Sequence, residues 1–162
     1  MAGRATAGAG LLLAVIAGCV LATACSSGSS HGSTTFPADY LNASHAYRTK
    51  LAQLQSQASS AQQQGSAAEV AVFRGMLDVT KSTVSQMQQL HASARFSQTF
   101  DQFLAALRDQ QSSLQNVLTA VDKQDNTATD TAVVALSRAL QNGLRLQTDL
   151  DNAVSAKSPT TT

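Results

Sequence analysis

The chain has 162 residues, of which 43% are hydrophobic, 13% charged and 4% aromatic, and 11 basic residues nearly balance 10 acidic ones for a formal net charge of +1. Phosphate binding needs a basic stripe, so this balance argues against nucleic acid as a partner. The length allows one domain once the N-terminus is set aside, and no disulfide can be built in the body, because no cysteine follows Cys25.

Met1 to Gly10 is a short region carrying Arg4, and Leu11 to Ala24 is an uncharged apolar run. A spanning helix is expected to need about 18 or more consecutive apolar residues, so this run is short for one and reads as a targeting segment. It ends in Ala22-Thr23-Ala24-Cys25 and gives way to Ser26-Ser27-Gly28-Ser29-Ser30. Small residues before a cysteine, with a Ser/Gly tether after it, resemble the lipobox of a bacterial lipoprotein. The resemblance implies a diacylglyceryl thioether on the cysteine, cleavage just before it and acylation of the new amine. Cys19, after Ile16-Ala17-Gly18, matches the lipobox letters better than Cys25, but cleavage there would leave Val20 and Leu21 beside the anchor. The tether and the longer apolar core favour Cys25. An ordinary secretory signal or an uncleaved anchor helix is the alternative. Two or three acyl chains would hold the domain to the membrane without help from a polybasic patch, since one chain alone anchors only marginally.

The expected organisation is therefore a signal peptide over residues 1–24, a Ser/Gly-rich tether over 25–36, a helical body over 37–156 and a disordered tail over 157–162. From Asp39 to Ala156 there is no proline, and Pro37 and Pro159 stand just outside. Proline is costly inside a helix and common at its edges, so this pattern predicts helix throughout. The first helix is expected from Pro37 to Gln64, with Tyr40, Tyr47, Leu51, Leu54, Ala58 and Ala61 on one stripe. Gly65 punctuates it, and Ser66-Ala67-Ala68-Glu69 has the spacing of a capping box for the next helix. That helix shows Phe73, Leu77, Thr80, Val84, Met87 and His91 in steps of four and three. A turn is expected at His91-Ala92-Ser93. The third helix then carries Phe96, Phe100, Leu104, Leu107, Gln111, Leu114, Leu118 and Val121. Asp125-Asn126-Thr127 ends it, and Thr127 with Asp130 offers a second capping pair. The fourth helix carries Val133, Leu136, Leu140, Gly143, Gln147, Leu150 and Val154. No segment alternates with a period of two, so no sheet is expected.

Helices of roughly 26 to 30 residues would each be about 40 Å long. Connections this short force neighbours to run antiparallel, which predicts an all-α, up-down-up-down four-helix bundle. Counting from the turns brings Tyr40, Tyr47, Phe96 and Phe100 to the tether-proximal end, with Phe36 and Phe103 nearby and His91 at the rim. Phe73 is alone among the aromatics at the far end.

Catalytic chemistry is poorly represented. The helical body contains no Gly-x-Ser-x-Gly elbow, and Gly65, Gly75 and Gly143 are isolated rather than grouped in a phosphate-binding loop. A carboxylate-bridged di-metal site needs several glutamates, and Glu69 is the only one in the chain. Met87 and His91, four apart, would share a helical face and offer a thioether and an imidazole to copper or haem iron. The bland reading makes Met87 core and His91 a turn residue. Asp149 with Asp151, and Asp122 with Asp125, read as solvated charges near helix ends. Gly143 reads as a place of close helix approach, and Gln111 and Gln147 as polar interruptions that set register.

The remaining site candidate is an apolar pocket, or a lipid-facing surface, lined by Tyr40, Tyr47, His91, Phe96 and Phe100; its alternative is a core layer built of large residues. The signal and the Ala/Gln/Thr-rich body together resemble the small helical lipoproteins of high-GC Gram-positive bacteria, a likeness that implies no particular activity. The expectation is a non-enzymatic, lipid-anchored envelope protein at the extracytoplasmic face of the membrane, without cofactor or catalytic residue, presenting a helical surface to another envelope protein. The alternative is a bundle that binds a lipid, haem or metal at its aromatic end.

Overall fold

The computed structural model describes residues 36–156. The apolar leader, Cys19 and Cys25, most of the tether and the last six residues lie outside them. Four helices follow one another in chain order: α1 (Phe36–Gln64), α2 (Ser66–Met87), α3 (Ser97–Asp122) and α4 (Asn126–Ser155). They form an all-α four-helix bundle in which sequential helices run antiparallel. α3 lies closest to α4 and α1 packs well on α2, whereas α1 and α4 approach each other at few points. No helix among the described residues is long and apolar enough to cross a membrane.

The joints explain the boundaries. Gly65 ends α1 by donating its N–H to the Ala61 carbonyl, 3.1 Å away, and its own carbonyl accepts from the Ala68 and Glu69 amides. It does so at φ +97°, a backbone region that glycine enters without a Cβ penalty. Because Gly65 itself is the N-cap, Ser66 falls inside the first turn, and the predicted capping box is replaced by a glycine cap with no side-chain bond.

α2 stops at Met87, earlier than its apolar period suggested. His91 therefore stands in the connection to α3, off the helical face of Met87. At the end of α3, the Asp125 amide reaches back to the Ala120 carbonyl and the Gln124 amide to that of Val121. This paired closure puts Gln124 at φ +55°, where glycine is usual. The Asp125 carboxylate then accepts from the Ala128 amide at 3.0 Å, so Asp125 caps α4 in place of the expected Thr127 pair.

Two apolar layers fill the interior. The distal one gathers Ala58, Ala61, Val72, Phe73, Met76, Leu114, Val117, Ala132 and Leu136, with Phe73 as its only aromatic ring. The proximal one holds Tyr40, Tyr47, Met87, Phe96, Phe100, Phe103, Leu107 and Leu150. Leu51 packs against both. Thr80 and Thr83 are buried on α2 because each hydroxyl donates to a carbonyl one turn back, at 2.8 and 2.9 Å, and so enters the core already satisfied.

Candidate functional site

The aromatic end assembles largely as its spacing predicted. Phe36 and Tyr40 reach across from the start of α1 to Phe96, Phe100 and Phe103, where α3 begins. Phe36 stacks on Tyr40 and Phe96, with ring centroids 6.0 and 5.7 Å apart, and meets Phe100 edge-on at 5.0 Å. Tyr40 stands edge-on to Phe100 and Phe103 at 6.5 and 6.0 Å. These are the offset and perpendicular arrangements that ring quadrupoles favour, each contributing roughly 0.5–1.5 kcal/mol beyond area burial. Arg95 lies over the outer ring, its Cζ 5.2 Å from the Phe96 centroid.

Of the five residues expected to line a pocket, Tyr40, Tyr47, Phe96 and Phe100 are buried together in this layer. His91 is not among them: it is exposed, with its Nδ1 3.2 Å from the Gln89 carbonyl oxygen. The rings occupy the layer themselves, joined by Phe36 and Phe103. A surface cavity of about 510 Å³ lies elsewhere, between α3 and α4 near their connection, lined by alanines and by polar residues that include Asn116, Thr119 and Asp125.

Both phenols are anchored from within. The Tyr40 hydroxyl donates to Asp151 Oδ1 at 2.8 Å, which accepts also from Ser44 Oγ at 3.4 Å. Arg48 Nη1 holds the other carboxylate oxygen at 3.0 Å. Gln147 Nε2 donates to Ser44 Oγ at 2.7 Å, closing a polar cluster across α1 and α4. Deeper along α1, the Tyr47 hydroxyl donates to Gln110 Oε1 at 2.7 Å, and Gln110 Nε2 donates to the Ala139 carbonyl at 3.3 Å. Burial pushes the Tyr47 phenol up to about 12, with the Thr80 hydroxyl opposing. Tyr40 is raised as well, first by burial and then by the negative charge and hydrogen bond of Asp151. Such phenols stay protonated donors at neutral pH.

Asp151 thus departs from its reading as a solvated end-of-helix charge, and Gln110 rather than Gln111 is the buried glutamine of α3. A signal for Asp151 was present in the sequence, since it lies four residues after Gln147, already placed on the core stripe. Gln147 is buried as expected. Asp122 remains on the surface, 3.8 Å from Arg74. Gly143 does mark a close approach: the Gln110 amide occupies the place where a Cβ would stand.

Glu69 is only 3% exposed at the start of α2, and burial raises its carboxyl above the usual range. Among the described residues, no group of three or more His, Cys, Asp or Glu side chains is placed to hold a metal ion. Met87, the sulfur ligand once paired with His91, is fully buried in the proximal layer. No protein-family model, curated protein or solved structure matches the chain.

Proposed function

We propose that the protein is a membrane-anchored extracytoplasmic lipoprotein, non-enzymatic, whose bundle serves as a helical interaction or scaffold module of the cell envelope. The observation that carries this reading is the filled aromatic end. Its rings pack on one another at 5.0–6.5 Å, and its phenols bond to groups of the same chain. A bundle of this kind offers its outer surface rather than an interior. That surface is mostly glutamine, serine, threonine and scattered charge, with Val134 and Leu144 as the large apolar side chains left exposed among the described residues. The anchor rests on the small residues before Cys25 and the Ser/Gly run after it.

The test is the intact mass of the full chain extracted gently from bacterial membranes, with a Cys25→Ser variant beside it. The expected result is a mass that matches a triacylated or diacylated chain beginning at Cys25, with the variant lost from the membrane fraction. An unmodified chain, or a Cys25→Ser variant that keeps both lipid and membrane attachment, would sink the reading. A lipid, haem or metal held at the aromatic end would appear instead as a defined extra mass lost on denaturation.

A further inference from the structure

The α1–α4 seam is built unlike the other helix pairs. Its contacts include a polar patch in which Tyr40, Ser44 and Arg48 of α1 meet Gln147 and Asp151 of α4. Continuing away from that patch at helical steps of three and four, the same stripes carry Leu51 on α1 and Leu144 and Leu140 on α4. Burial along the α4 stripe runs against hydrophobicity. Gln147 is 4% exposed, whereas Leu144, one turn away, is 42% exposed. Leu51 and Leu140 are half-buried. A seam closed along its length would cover its leucines first, because apolar burial supplies about 25 cal/mol per Å² and a polar group gains little beyond its bonds. Here the polar patch holds the seam, while beside it Leu144 is exposed and Leu51 and Leu140, though packed against the core layers, remain partly exposed.

We propose that the α1–α4 seam is the opening edge of the bundle and that Asp151 is its latch. Asp151 accepts from Tyr40 and Ser44 through one oxygen and pairs with Arg48 through the other, so a single side chain ties three positions of α1 to the end of α4. Its loss lets α1 and α4 part along the leucine row, while the more extensive α1–α2 and α3–α4 pairings stay packed. The device is a conformational one, independent of the lipid anchor and of the scaffold reading.

The test uses the full chain with single reporter substitutions Leu51→Cys or Leu140→Cys on the seam. Leu77→Cys, 8% exposed in the distal core, is the reference. Alkylation by N-ethylmaleimide is followed by peptide mass spectrometry, which separates each reporter from Cys19 and Cys25. Asp151→Asn is expected to speed alkylation at both seam positions at least tenfold and to leave the reference rate unchanged. Asp149→Asn, at an exposed carboxylate of the same helix that pairs with Arg145, is expected to change none of them. Arg48→Gln, which spares the Tyr40 bond, should give a smaller acceleration at the same two seam positions, and it carries the test if Asp151→Asn does not fold. Equal acceleration at position 77 would mean unfolding of the whole bundle and would overturn the proposal. So would unchanged rates at positions 51 and 140.

Discussion

Gln110 joins three helices through one side chain. Its Oε1 accepts a hydrogen bond from the Tyr47 hydroxyl of α1, its Nε2 donates one to the Ala139 carbonyl of α4, and its amide fills the space that the missing Cβ of Gly143 leaves. Gly143→Ala therefore does more than add a methyl group. The new Cβ displaces the glutamine amide and leaves the buried Tyr47 hydroxyl without its acceptor. We expect a loss of about 1–3 kcal/mol in denaturant unfolding, the range of overpacking and of an unsatisfied buried donor. An unchanged midpoint would show that Gln110 finds another position without cost. The need for a small residue at 143 was legible from its place on the α4 stripe. Its partner was not, because a slip of one residue between Gln110 and Gln111 lies within the drift of a four-and-three count.

At the scale of elements, apolar period alone overran the helix ends. His91 continues the four-and-three pattern of α2, yet the chain leaves the helix at Met87 and turns with its amides at 89 and 90 bonded to Gln86 and Met87 carbonyls. The pattern fails there: His91 is exposed, while Leu90 and Ala92 on either side of it pack on the proximal layer. Periodicity reports which residues meet the core only within a helix, and the helix end is set by where backbone groups find partners. The α3 terminus makes this testable. Gln124 sits at φ +55°, a left-handed position that disfavours a Cβ. Gln124→Gly is expected to raise stability by roughly 0.5–1 kcal/mol, read as a shift of the urea midpoint with an unchanged slope. A destabilised variant would mean that the glutamine side chain contributes more than its backbone costs.

For the whole molecule, the buried tyrosines link stability to alkaline pH. An unfolded phenol ionises near 10.0, while the folded Tyr47 holds its proton to about 12 and Tyr40 is raised too. The sign follows: below pH 10 both states are protonated and the linkage is absent. Between pH 10 and 12 the unfolded chain releases protons that the folded chain keeps, so stability falls as pH rises, by about 1.4 kcal/mol per pH unit for each such phenol. The double variant Tyr40→Phe, Tyr47→Phe should lose most of that slope even if it is less stable at pH 7. Identical slopes in the two proteins, measured from denaturant midpoints, would count against burial as the cause of the raised phenols.

The sequence by itself determined the class and much of the layout of this protein. A proline-free stretch with four-and-three periodicity leaves helix as the form that buries its apolar side chains, and connections of a few residues leave antiparallel neighbours as the way to pack them. The same counting placed the aromatic residues at one end and Phe73 at the other. Only the tertiary structure decided how that end is used. Rings that share a layer can line a space or fill it, and the choice depends on the distance between helices, which small residues such as Ala106 and Gly143 help to set where they meet a neighbour. It also decided that Asp151 is a bonded group rather than a solvated charge. A carboxylate near a helix end is exposed unless a neighbouring helix brings donors to it, and α1 brings three.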